Sequence, residues 1–188
     1  MTRNAAAVCG IVWKPPKHGT AHASDFRPAR RGIGDPSMNR PVGIRMASPS
    51  DVGELAPLFD AYRRFYGQPA DLERARDFIG ERLNRHDAWI LVAQRGETLV
   101  GFTQLYPSFS STRTSRIAIL NDLFVAESER GRGTGRALLS AAEDLARKLG
   151  LDALELATAT DNTVAQSLYE AQGWTRDTGF FTYGKSLR

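Results

Sequence analysis

Apolar residues in this chain recur first at helical and then at strand spacing, and the change falls near residue 88. Ile44-Arg45-Met46 predicts a short first strand, and Ser48-Pro49-Ser50-Asp51 supplies the side chains that start a helix. Val52, Leu55, Phe59 and Tyr62 then follow at helical spacing. Pro57 lies inside that pattern and predicts a kink or a shortened hydrogen-bond ladder. After Gly67-Gln68-Pro69 a second helix is expected from about Asp71, with Leu72, Ala75, Ile79 and Leu83 on one face.

Ala88 to Ala93 is an apolar run of strand length, Arg95-Gly96-Glu97 a turn, and Thr98 to Tyr106 a second strand, so the pair predicts a hairpin. A Ser/Thr-rich loop from Ser108 to Ser115 leads to a third strand, Ile117 to Val125. A long helix is expected from Gly133 to Leu149, with Leu138, Ala141, Leu145 and Leu149 as its apolar stripe. Leu154 to Ala157 predicts another strand. The segment after Asn162 is a helix carrying Val164, Leu168 and Tyr169 and ended by Gly173. Phe180 to Leu187 is the expected closing strand. Two helices, antiparallel strands, then strand–helix–strand–helix–strand predict an α/β fold: a mixed, mostly antiparallel sheet with helices on both faces.

Charge changes the picture only at the amino terminus. The formal charge of +4 suggests a nucleic-acid partner, but residues 1–42 hold seven Lys/Arg against two Asp, a net +5. The remaining 18 basic and 19 acidic residues leave residues 43–188 at −1, which gives the body no electrostatic case for binding DNA or RNA. Residues 1–42 also hold five of the nine prolines and follow neither apolar period, so they are expected to be a disordered basic leader ahead of one domain, residues 43–188. Three readings of the leader stand: Met38 as the true start, an inert extension, or a tail for an acidic partner. No apolar run is long enough to span a membrane and no secretory signal is recognisable. The lone Cys9 fits a reducing cytoplasm. His18 and His22 lie in the leader and His86 stands alone, so no metal site is expected.

The chemistry concentrates where an apolar strand, Asn121 to Val125, runs into Arg130-Gly131-Arg132-Gly133-Thr134-Gly135-Arg136 at the start of a helix. The unpaired N–H groups of a first helical turn form an anion site, glycine lets backbone approach a phosphate, and three arginines add charge. The Gly-Lys-Ser/Thr ending of a nucleotide loop is absent. The dinucleotide G-x-G-x-x-G also fails, since Gly131 and Gly133 lead to Arg136, and Gly133 and Gly135 to Leu138. What remains is Arg-x-x-Gly-x-Gly, Arg130 to Gly135.

That hexamer resembles the pyrophosphate loop of the GNAT superfamily of acetyl-CoA-dependent N-acetyltransferases. Asn162 to Trp174 is similar to the superfamily's second signature: an Asn, then Ala165, then a Tyr seven residues after the Asn, and a Gly-aromatic pair. The resemblance covers about Ile44 to Leu187 and implies a GNAT-like sheet with a parallel, splayed pair of strands. It also implies roles. Backbone groups of Leu123, Phe124 and Val125 would pair with the pantetheine amides. N–H groups from Gly131 through Arg132, Gly133, Thr134 and Gly135 to Arg136 would hold the pyrophosphate, with Arg130 beside them. Asn162 would contact the pantetheine arm, and a main-chain N–H near Leu123 would polarise the thioester carbonyl.

Tyr169 is the candidate general acid, because a departing thiolate needs a proton and a phenol can supply it; the alternative is a core aromatic. Relatives often carry a Glu base directly before the aligned Asp. Here that position is Asn121, leaving Asp122 as the only carboxylate between Ile117 and Val125. Asp122 is read either as the base or as a group binding a backbone N–H or a substrate ammonium. Tyr62, Phe65, Tyr66, Gln68 and Tyr106 are acceptor-site candidates, since aromatic faces suit an alkylammonium, and also core candidates. The expected reaction moves acetyl from acetyl-CoA, with no metal, to the primary amine of a small molecule in a ternary complex. A protein or peptide N-acetyltransferase and a non-catalytic acyl-CoA-binding module are the rivals. A homodimer is common among relatives, and neither nucleic acid nor membrane is expected as a partner.

Overall fold

The computed structural model describes residues 41–187. The expected leader, with its alternative start at Met38, lies outside the described residues except for Pro41 and Val42.

Strand β1 (Gly43–Met46) precedes a 3-10 turn (Pro49–Asp51) that feeds helix α1 (Val52–Phe65). Asp51 anchors this entry. Its carboxylate accepts from the Ser48 N–H (2.7 Å) and from two nitrogens of Arg45 (2.7 and 2.8 Å), and the Arg45 guanidinium holds its pKa well below the usual carboxylate range. Helix α1 runs unbroken through Pro57, whose ring lies on the solvent side, where water can take up the freed carbonyl of exposed Gly53. Helix α2 (Leu72–Arg85) is capped by Asp71, which accepts from the Arg74 N–H at 3.0 Å, and buries Ala75, Ile79 and Leu83 as the spacing predicts, whereas Leu72, in its first turn, is 43% exposed.

Strands β2 (Trp89–Arg95), β3 (Thr98–Ser110) and β4 (Ser115–Val125) form an antiparallel meander on β1, and β5 (Ala153–Glu155) adds parallel to β4. The sheet order is β1-β2-β3-β4-β5. The polar loop expected over Ser108–Ser115 is shorter than its composition suggested. Strand pairing continues to Ser110↔Ser115, because alternate positions on both strands reach the ladder regardless of their polarity.

Helices α1 and α2 cover one face, where Leu55, Phe59, Ile79, Val92 and Phe102 form a core. Helix α3 (Thr134–Lys148) covers the other, packing Leu138, Leu139 and Ala142 on Leu91, Leu105 and Leu120. Its most buried line is Leu138, Leu139, Ala142 and Ala146, so Ala141 and Leu145 of the expected stripe flank it. In α4 (Thr163–Ala171), Leu168 and Tyr169 pack inward, whereas Val164 is 82% exposed and belongs to the outer face.

The closing strand expected at Phe180–Leu187 does not form. The sheet ends at β5, and Phe181, Tyr183 and Leu187 are 83–89% exposed. Strand propensity records packing against a neighbour, and β5 offers an edge only three residues long.

Candidate active site

Parity along β4 creates the site. Leu105 pairs with Leu120 and Gln104 with Asp122, so Asn121 is an extra residue, a β-bulge. Before it, Ala118 and Leu120 point to the α3 face; after it, Leu123 and Val125 do. The even-numbered Asp122 and Phe124 are thereby turned to the α1–α2 face, where Phe124 packs against the core. β5 follows β4 only from Ile117 to Ile119, and the two strands then part. Beside this splay lies a groove of about 580 Å³ lined by Ile119, Leu120, Leu156, Ala157, Tyr169 and Trp174. Leu123, Phe124 and Val125, the expected pantetheine partners, lie on the part of β4 that no fifth-strand residue pairs.

Val125 leads through a 3-10 turn (Glu127–Glu129) to the glycine loop. Gly131 and Gly133 have φ of 74° and 80°, left-handed values that a side chain would strain. Gly133 caps α3 without a side chain of its own to take up the first-turn N–H groups. The buried Thr134 hydroxyl has no hydrogen-bond partner among the described residues. Such an orphan costs about 1–3 kcal/mol and suits a site that receives a polar ligand. Arg130, Arg132 and Arg136 are exposed around the loop, with the Arg130 guanidinium 5.7 Å above the Phe124 ring. Gly135 serves packing: a Cβ there would come within 3.3 Å of Leu168, so its absence lets α3 and α4 meet. Asn162 stands at the start of α4, its carbonyl oxygen accepting from the Ala165 N–H at 3.2 Å.

On the α1–α2 face Asp122 is 3% exposed. Burial pushes its pKa up to about 6, with the Tyr62 hydroxyl and the Asn121 amide (3.0 Å) acting the other way. Tyr62 is the hub of an aromatic cluster. Its ring lies 5.1 Å from Tyr66, 5.9 Å from Phe102 and 6.2 Å from Phe124, and its hydroxyl donates to the Asn121 carbonyl at 3.4 Å. Burial, and then the Asp122 charge, raise Tyr62 and Tyr66 above the ordinary phenol range and Tyr106 to about 12. Tyr169 is likewise raised to about 12, first by burial and then by Tyr66. Tyr62, Tyr66 and Tyr106 thus converge on one carboxylate, and Tyr169 reaches the cluster through Tyr66. Phe65, 58% exposed, stands at the outer margin, touching Tyr66 at 5.2 Å.

One member of this cluster has no motif to announce it. Gln104, opposite Asp122, is fully buried; its amide N–H donates to the Tyr106 hydroxyl, and its carbonyl oxygen has no partner among the described residues. The only signal was a polar residue inside the apolar run Thr98–Tyr106. Among the described residues there is no group of three His, Cys, Asp or Glu placed to hold a metal ion, and no helix long and apolar enough to cross a membrane.

The acetyltransferase (GNAT) family profile matches residues 55–174, from α1 through the glycine loop to the end of the second signature. The chain belongs to the GNAT family. An uncharacterised N-acetyltransferase, YhfO, of Bacillus subtilis (strain 168) is 49% identical over 142 residues, 76% of this chain and 95% of that protein. A probable acetyltransferase of Haemophilus influenzae (strain ATCC 51907 / DSM 11121 / KW20 / Rd) is 36% identical over 95 residues, 50% of this chain and 65% of that one. A crystal structure of a probable acetyltransferase is 39% identical and superposes with a TM-score of 0.72, covering 78% of this chain and 98% of its own. The GNAT enzyme described here is therefore an N-acetyltransferase, and the five-stranded mixed sheet with four helices that its described residues form is the family's fold.

Proposed function

We propose that this GNAT enzyme transfers the acetyl group of acetyl-CoA directly to the primary amine of a small molecule in a ternary complex. The observation that carries the proposal is the setting of Asp122: a single buried carboxylate, ringed by phenols, on the strand that leads into an anion-binding loop. The loop fits a pyrophosphate. It has left-handed glycines, an uncapped helix start, an orphaned Thr134 hydroxyl and three exposed arginines.

Bound at that loop, acetyl-CoA supplies the activated acyl group. The chain's residues supply orientation and proton management. Asp122, titrating at about 6, is ionised at neutral pH and can accept the proton that the amine sheds as its nitrogen bonds to the acyl carbon. That proton is far more acidic there than in the free lysine-like ammonium, whose pKa is about 10.4. The phenol of Tyr169 stays protonated throughout the neutral range and donates to the sulfur as it leaves. The N–H near Leu123 is the donor proposed for the carbonyl oxygen. A carboxylate 3% exposed among tyrosines favours a slender alkylamine over a peptide backbone, which calls for an open groove.

The test is thiol release from acetyl-CoA across a panel of polyamines, amino acids, amino-sugars and amino-terminal peptides. Turnover with at least one small primary amine and none with peptides is expected. Turnover with peptides alone would replace the acceptor assignment, and CoA binding without turnover would favour a non-catalytic module.

A further inference from the structure

Glu129 is a buried carboxylate, its side chain 5% exposed, one residue ahead of a loop that we read as a pyrophosphate site. Two costs meet there. Burying an ionised carboxylate is costly unless it is paired, and a bare negative charge would oppose an arriving diphosphate. Arg95 is the closest partner that offsets both. The Arg95 guanidinium, itself 11% exposed, places Nε 2.9 Å and Nη2 2.8 Å from Glu129 Oε2. Arg95 ends β2 and begins the tight turn of the β2–β3 hairpin, so the contact ties the loop's entrance to the rigid sheet.

The glycines make that anchor consequential. Gly131 and Gly133 both hold left-handed backbone that the unbound chain has no local reason to keep, and their conformational freedom is costly to remove. The downstream end is fixed by α3, which starts at Thr134. At the upstream end the Ala126 N–H donates to Val100 O (2.9 Å), Arg130 Nε donates to Val125 O (3.2 Å), and Glu129 adds its buried ion pair with Arg95. Glu129 Oε1 also lies 3.5 Å from Nη1 of Arg132, a loop residue 41% exposed.

We propose that Arg95 and Glu129 are positioning residues for the cofactor loop: their pair sets the entry of Arg130 to Gly133, so that the loop's N–H groups are aimed before the pyrophosphate arrives. This rests on reading the loop as the CoA site. Pre-aiming is felt only by a ligand that carries the pyrophosphate, and it has an electrostatic sign of its own. Glu129→Gln removes a negative charge beside the site, so Coulomb attraction alone would tighten CoA binding, whereas loss of the anchor loosens it.

The experiment measures CoA affinity by calorimetry and pantetheine affinity by NMR titration, for the parent chain, Glu129→Gln and Arg95→Lys. Glu129→Gln is expected to weaken CoA at least fivefold and to leave pantetheine within twofold. Arg95→Lys keeps the charge but not the fork of two nitrogens, and is expected to lie between parent and Glu129→Gln. Unchanged or tighter CoA binding in folded Glu129→Gln overturns the proposal, and so does an equal loss for CoA and pantetheine. Should Glu129→Gln fail to fold, Arg95→Lys decides, and parental CoA affinity in it overturns the idea. A parent chain that binds no CoA removes the cofactor reading itself, an outcome distinct from parental binding with indifferent variants.

Discussion

The two halves of the site are made of different materials. The proposed cofactor half, from Leu123 to Arg136, works mainly through backbone: an unpaired strand edge, two left-handed glycines and a helix start without a side-chain cap. The proposed acceptor half works through side chains, with Asp122 and four tyrosines contributed by α1, β3, β4 and α4. Backbone geometry is held by local spacing and glycine, so the first half is contiguous in sequence. Side-chain chemistry is assembled by packing, so the second is scattered over more than a hundred positions, Tyr62 to Tyr169. Damage to the first should therefore be read in CoA affinity, and damage to the second in turnover.

The sharpest test of that division is Asp122→Asn. If Asp122 is the base, turnover falls by about 10² to 10⁴, with CoA affinity unchanged. In the parent, kcat/KM should fall as pH drops through about 6, the point at which Asp122 takes up its proton. The stability effect has the opposite sign. The folded pKa of Asp122 is raised above its ordinary 3.8, so its contribution is fully present below that value and is lost as pH rises through about 6. Asp122→Asn does not titrate and should gain on the parent as pH rises from 4 to 7, by roughly 2–3 kcal/mol at the plateau. Melting curves across that range check it; a variant whose stability relative to the parent does not rise between pH 4 and 7 contradicts the assigned environment.

Tyr169→Phe probes the seam between the halves, since Tyr169 lines the groove by the splay and senses Tyr66. At least a hundredfold loss is expected, at the lower end of about 10² to 10⁴ for a general acid. The loss should lie in kcat and leave the KM for acetyl-CoA alone. A folded Tyr169→Phe enzyme within twofold of parental turnover refutes the general-acid role. An effect confined to KM would move Tyr169 into the cofactor half.

Gly133→Asp should act wholly in the other half. It puts a Cβ and a carboxylate at φ 80°, where phosphate oxygens are proposed to sit. CoA affinity should fall at least tenfold, about 1.4 kcal/mol, and calorimetry on the folded variant measures it. The smallest effect is expected from starting the chain at Met38: melting temperature and turnover should match the full chain, and a substantial drop in either would show that the leader acts on the domain.

The same division explains what could be read from the sequence. Arg130 to Gly135 was legible because a loop of left-handed glycines needs glycine at fixed spacing whatever the rest of the chain does. Helix α2 was legible because Ala75, Ile79 and Leu83 sit on one stripe behind an Asp cap. Gln104 was not, because nothing local marks a buried amide; its importance comes from standing opposite Asp122, a register that no single strand encodes. Glu129 and Arg95 are a similar case, 34 positions apart in sequence and 2.8 Å apart in space. Phe180–Leu187 is the converse. Its residues have strand character, yet the sheet stops at the three residues of β5, and pairing is a property of two partners.

Asn121 carries a different kind of information from its neighbours. Because strand side chains alternate, a bulge at Asn121 absorbs one residue, so even-numbered positions face α3 before it and odd-numbered ones after it. The importance of position 121 therefore lies first in its being bulged and only second in its being asparagine. Any amino acid that tolerates a bulge could occupy it, and Asp122 would still face the tyrosines. Straightening the bulge into regular pairing would turn Asp122 toward the α3 core and the hydrophobic Leu123 into the acceptor site, every residue intact and the enzyme inverted.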